Sequence, residues 1–213
     1  MKHDFRRGVS PWAAKDPDQG SKVTHEQFLN SLDEDTWAEW VDGEAVLVAP
    51  VPDVHQDLAG WIAALMRVFA EAQECGVVLQ KPFQMKSGPD LPGRSPDIIF
   101  VSRENLGRLR LTHLEGPGDV VVEVVSPESA GRDRGEKYYE YERGGVREYW
   151  LIDPQRRQAE FYRLGEDGLY YLAQPDSGVF RSEVLSGFWM KLDWLWQKPL
   201  PKVVGVLKEW RIV

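Results

Sequence analysis

The segment Gly118-Asp119-Val120-Val121-Val122-Glu123-Val124-Val125-Ser126-Pro127 decides how the rest of the chain is read. Val120 to Val125 has the β-branched composition of a strand, and its lack of apolar–polar alternation predicts cover on both faces. Glu123 breaks the pattern. A carboxylate inside such a strand costs several kcal/mol if it stays ionised and unpartnered, so it needs a cation, a proton or a set of hydrogen bonds.

Working outward on the C-terminal side, Ala130 to Arg143 has helical character and stops at Gly144-Gly145. Val146 to Ile152 then reads as a second strand, closed by Asp153-Pro154. Strand, helix and strand with short links predict a βαβ crossover and hence a parallel pair. On the N-terminal side, Arg94-Ser95-Pro96-Asp97-Ile98-Ile99-Phe100-Val101 predicts another strand, with Pro96 at the position where a missing N–H is tolerated. The period of two then places Asp97, Ile99 and Val101 on one face. Residues 102 to 117 hold a short helical or loop insertion and a Gly-Pro-Gly turn.

Farther upstream, Thr24 and Gln27 form a capping box for a short helix. Asp42-Gly43 is a two-residue hairpin turn between Trp37–Val41 and Glu44–Val48. Val54, Leu58, Trp61, Ile62, Leu65, Met66 and Phe69 have the spacing of an amphipathic helix capped by Asp53. His55 falls in its first turn, where the helix dipole favours a neutral ring. Val77 to Met85 reads as a strand following Gly76. Toward the C-terminus, Ala159–Leu164 and Leu169–Leu172 flank a Gly-Glu-Asp-Gly hairpin signal, and Val179–Val184 offers one more strand. Phe188, Trp189, Trp194 and Trp196 read as a clasp on the core.

The chain has 213 residues, of which 42% are apolar, ample for one main domain. Residues 1–22 read as a poorly ordered tail, 23–196 as the domain, and 197–213 as an extension with a packing or dimer role. One cysteine, Cys75, excludes an intramolecular disulfide and a thiolate metal cluster and fits a reducing cytoplasm. No apolar run reaches the length of a membrane span, and residues 1–20 lack the apolar core of a signal peptide, so a cytoplasmic location is expected. A net charge of -8 opposes contact with a polyanion unless basic groups cluster or a cation is bound.

Asp97, Glu123 and Lys137 combine into a constellation. Adjacent strands can aim an Asp and a Glu at one point, and a hard divalent cation such as Mg²⁺ is held by one or two carboxylates plus waters. A lysine beside them would orient or deprotonate the attacking water, or stabilise charge on a phosphate.

The sequence resembles the Uma-type restriction endonucleases, a branch of the PD-(D/E)XK nuclease superfamily. The likeness rests on Asp42-Gly43-Glu44, His55, Ser95 to Val101, Val122 to Pro127, Lys137-Tyr138-Tyr139 and Gly145 to Pro154, in that order and spacing, over about residues 23–196. The resemblance implies a restriction-endonuclease-like α/β (α+β) core: a mixed central sheet flanked by helices, with antiparallel hairpins at its edges. It also implies Mg²⁺ or Mn²⁺ as cofactor and DNA phosphodiester hydrolysis as activity. Asp97 and Glu123 match the metal-binding acids, Glu44 matches an upstream glutamate of the metal shell, and His55 is its neighbour. Val125 stands where the pattern has a lysine, so Lys137 is taken as the substitute and Lys86 as its rival. Cleavage of both strands would suit a homodimer. The alternative reading is a catalytically degenerate nuclease-fold module that binds nucleic acid or a protein partner. A metal-dependent hydrolase of small phosphoesters is a third.

Overall fold

The computed structural model of the chain describes residues 22–32, 36–47 and 53–213. The expected N-terminal tail, apart from Lys22, lies outside the described residues. Helix α1 (His25–Ser31) carries the capping box: Thr24 Oγ1 accepts from the Gln27 N–H, and Gln27 Oε1 accepts from the Thr24 N–H. Strands β1 (Ala38–Val41) and β2 (Glu44–Leu47) meet at Asp42-Gly43, where φ values of 50° and 92° give the left-handed pair that a tight hairpin turn requires. Helix α2 (Asp53–Ala72) buries Leu58, Ile62, Leu65 and Phe69 along one stripe, and Asp53 Oδ1 accepts from the Val54 N–H at its start.

Next come β3 (Gly76–Gln80), β4 (Gln84–Lys86), β5 (Gly93–Arg94), β6 (Ile98–Ser102), a 3₁₀ turn (Arg103–Arg108) and β7 (His113–Glu115). The central segment follows as β8 (Val120–Val124), α3 (Ala130–Arg134), α4 (Glu136–Gly144) and β9 (Glu148–Asp153). The chain ends with β10 (Gln158–Leu164), β11 (Tyr170–Leu172), β12 (Val179–Arg181), β13 (Trp189–Lys191), a second 3₁₀ turn (Leu192–Trp196) and α5 (Val203–Glu209).

A six-stranded sheet in the order β11-β10-β9-β8-β6-β3 forms the centre. β8 and β9 run parallel through the α3–α4 crossover, while the other neighbours are antiparallel. A second sheet, β2-β1-β5-β4-β7, stands beside it, and β12 pairs with β13 as a separate hairpin. Two expectations change here. The single strand over 77–85 is two strands in different sheets, because Pro82 has no N–H to continue the ladder and Phe83 N–H closes a turn on Gln80 O. The single helix over 130–143 is broken at Gly135, a poor helix former with φ -112° and ψ -92°. Gly145 ends α4 in the left-handed conformation, with the Gly145 and Val146 N–H groups returning to Glu142 and Tyr141.

Alternation along β6 and β8 divides the core. Ile98, Phe100, Val120, Val122 and Val124 pack with α2, while Ile99, Val101, Val121 and Val125 pack with Tyr141 and Tyr149. Strand β8 is therefore covered on both faces, with every residue buried. The C-terminal segment joins the α2 side: Trp61 Nε1 donates to Pro201 O at 2.7 Å, and Val206 and Leu207 are buried. Among the described residues, no helix is long and apolar enough to cross a membrane.

Candidate active site

The β6–β8 register sets Ile98 opposite Val122, so Asp97 and Glu123 lie at the next step of the same ladder. Glu123 points to the α4 face, where it meets Lys137 and Tyr141, while Asp97, just before β6, reaches the start of α2 through His55. Asp97, 6% exposed, accepts from the Val124 N–H at 2.8 Å and lies 3.1 Å from His55 Nε2 through the same Oδ2. Lys81 Nζ is 3.8 Å from its Oδ1. Burial pushes this carboxyl up, but the His55 hydrogen bond and the Lys81 and Lys137 charges outweigh burial and hold it below the usual carboxylate range.

Glu123 finds the partners its strand position requires. Lys137 Nζ is 2.8 Å from Oε1, and Tyr141 OH donates to the same oxygen at 3.0 Å. Lys137 is itself surrounded by acids, with Asp133 Oδ1 at 3.1 Å and Glu39 Oε1 at 3.6 Å. The Asp133 pair is an ion pair without hydrogen-bond alignment. Glu39 also accepts from Arg94 Nη1 at 3.1 Å and the Ser95 N–H at 3.2 Å. Arg94 in turn grips Glu140 with two bonds of 2.7 Å, tying β1 and β5 to α4.

Burial, joined by Asp133 and Asp97, outweighs the opposing pull of Lys137 and pushes Glu123 up to about 8. Burial disfavours the Lys137 ammonium, but Glu123, Glu39 and Asp133 hold it well above its ordinary value. Glu39 goes the other way: Lys137, Arg94 and the Ser95 N–H overcome its burial and bring it down to about 2. Lys137 thus stays charged, and Glu123 is the group that takes up a proton or welcomes a further cation.

The structure brings Asp97, Glu123 and Lys137 together and attaches His55 through Asp97. It does not bring in Glu44, which is exposed on β2; among the described residues no hydrogen bond or ion pair links it to the cluster. The upstream acid in the cluster is Glu39, on the neighbouring strand of the same hairpin. Lys86 is engaged elsewhere, donating to Leu91 O and lying 4.5 Å over the Trp40 ring. Glu39, Lys81, Arg94, Asp133 and Tyr141 are the participants that sequence reasoning missed. Two carried signals. Glu39 interrupts a short apolar strand as Glu123 does, and Asp133 stands one helical turn before Lys137.

Among the described residues, no group of three or more His, Cys, Asp and Glu side chains is arranged to hold a metal ion. Two carboxylates on adjacent strands, inside a cluster rich in acids, do fit Mg²⁺ or Mn²⁺, hard cations that keep several waters of their own.

Residues 25–193 match a family model described as "Uma2: Putative restriction endonuclease". The chain belongs to the Uma2 family. All members of the buried cluster, from Glu39 to Tyr141, fall inside the Uma2 match. A similar solved structure is the crystal structure of "a putative nuclease belonging to DUF820" from Anabaena variabilis. It shares 16% identity and aligns with a TM-score of 0.66 over 81% of this chain and 97% of that one. This likeness shows the fold, a restriction-endonuclease-like mixed sheet flanked by helices, as expected of a Uma2 chain. A search of the curated proteins found no match.

Proposed function

We propose that this Uma2 chain is a metal-dependent endonuclease that hydrolyses phosphodiester bonds of DNA. The observation that carries the reading is the buried pairing of Asp97 and Glu123 on neighbouring strands, with Lys137 Nζ 2.8 Å from Glu123. Asp97 and Glu123 would hold Mg²⁺ or Mn²⁺, which supplies an activated water and charge stabilisation at the phosphate. Asp97 remains ionised for this task because His55 and the Val124 N–H fix its Oδ2. Lys137, held in its charged form, acts as a fixed cation near the reacting phosphate rather than as a base. Arg94 keeps Glu39 and α4 in register, so the lysine is aimed from a rigid platform.

The test is cleavage of supercoiled plasmid with Mg²⁺, Mn²⁺ or chelator, alongside calorimetric titration of each metal. Asp97→Asn and Glu123→Gln are expected to abolish cleavage, and Asp97→Asn to abolish metal binding. Cleavage by both variants at the parent rate would end the assignment. Absence of any Asp97-dependent metal binding in the parent would favour the non-catalytic module.

A further inference from the structure

His55 has two faces. Its Nε2 is held by Asp97 at 3.1 Å, while its Nδ1, on a side chain 7% exposed, has no hydrogen-bond partner among the described residues. A buried polar atom of this kind is costly unless something supplies the missing bond. His55 lines a cavity of about 410 Å³ together with Val125, Ser126 and Lys198. A second cavity of about 720 Å³ has Lys198 in its wall as well, along with Arg157 and Trp196. Val54, Pro154 and Gln155 also belong to both walls, so the two spaces adjoin, and together they reach from Asp97's histidine to the C-terminal segment as one candidate channel.

The chemistry along this channel is that of a polynucleotide strand. Lys198 and Arg157 are exposed cations, and Trp196 is a half-buried indole. Asp53 and Asp57 share the outer wall and limit how many phosphates it can hold, although Asp53 is occupied by the Val54 N–H. Bases in an intact duplex already stack on each other, and a chain of net charge -8 repels a long phosphate array. An unpaired base, by contrast, offers a free face to an indole.

We propose that the channel seats a short unpaired stretch of nucleic acid. Lys198 and Arg157 pair with its phosphates, Trp196 stacks on a base, and His55, on the wall of the smaller cavity, adjoins the nucleotide nearest the carboxylates. This rests on the nuclease reading and narrows its substrate to a strand end, overhang or unpaired segment.

Fluorescence anisotropy of the full chain in EDTA tests it, with one labelled oligonucleotide presented as single strand, blunt duplex and overhanging duplex. The single strand and the overhang are expected to bind about tenfold or more tighter than the blunt duplex, as one or two stacked bases would give. Trp196→Ala should weaken the single strand by about 5- to 150-fold, the worth of one stacked base, and Trp196→Phe should keep most of the affinity and of the packing. Lys198→Ala and Arg157→Ala, both at exposed positions, should each lower the slope of log affinity against log salt by about 0.7.

Equal binding of blunt duplex and single strand, unchanged affinity and salt slope in both cation variants, or equally tight binding of a mononucleotide would overturn the channel. Binding in EDTA needs no turnover, so the two readings fail separately. Metal-dependent cleavage with silent channel variants removes the channel alone. Channel losses in a chain that never cleaves remove the nuclease reading alone.

Discussion

Lys137 is held by three carboxylates, at 2.8 Å from Glu123, 3.1 Å from Asp133 and 3.6 Å from Glu39, with almost no exposure to water. Lys137→Met would fill the space but leave those acids without their shared cation. It is expected to lower unfolding free energy in urea by about 3–5 kcal/mol, the usual cost of breaking a buried ion pair from one side. Adding Glu123→Gln should restore part of the loss, since a buried carboxyl left without its cation is replaced by a neutral group of the same shape. A single variant that unfolds at the parent midpoint would show that the acids neutralise themselves by protonation instead. Much of this cluster was legible because a carboxylate in a Val run advertises its need for partners, and the crossover returns the next helix over that strand. Glu44 and Glu39 show where legibility stopped. The Asp-Gly turn is a local signal that marks Glu44, whereas the burial of Glu39 depends on β1 reaching Arg94 and Ser95, a pairing that spans more than fifty residues.

Helix α1 docks on the second sheet through His25. Its ring meets Trp40 at 5.6 Å, Phe28 at 6.2 Å and His113 at 5.4 Å, and its Nε2 is buried without a hydrogen-bond partner among the described residues. Burial, then the nearby charges of Lys86 and His113, lower its pKa from 6.5 to about 4. Between those values the unfolded chain binds the extra proton and the folded chain resists it. Stability is therefore lost as pH falls from about 6.5 toward 4. His25→Phe should flatten that part of the urea midpoint against pH profile, and the difference between parent and variant isolates this ring from the carboxylates titrating beside it. Superimposable slopes would mean that His25 protonates freely in the folded state. At this level the caps, the Asp-Gly hairpin and the βαβ crossover were readable because each is encoded within a few residues. The break at Gly135 and the division at Pro82 were not. Pro82 and Gly135 are local breakers, but each sits inside a run that otherwise keeps one character, and that Gln84–Lys86 joins a different sheet from Gly76–Gln80 is set by pairings distant in sequence.

The two cores on opposite sides of the central sheet are closed differently. The Tyr141 side is sealed by α4 and the ion cluster, whereas the α2 side depends on the C-terminal segment. The sequence offered packing or dimerisation as the role of residues 197–213, and the structure has α5 packed on α2 with Val206 and Leu207 buried. Trp210 adds ring contacts with Phe188 at 4.9 Å and Phe69 at 5.7 Å. At about 1.5–3 kcal/mol for each fully buried aliphatic side chain, Val206 and Leu207 together contribute about 3–6 kcal/mol. That is a large part of the about 5–15 kcal/mol that holds a typical fold. A chain ending at Lys202 should therefore unfold at a markedly lower urea concentration and lose near-ultraviolet signal from the tryptophans facing α2. Because α2 also carries His55, loosening of its packing should reach Asp97 and reduce metal binding along with stability. An unchanged midpoint would show that α2 is held by the sheet alone, and that the C-terminal segment acts only as a wall of the channel beside Lys198.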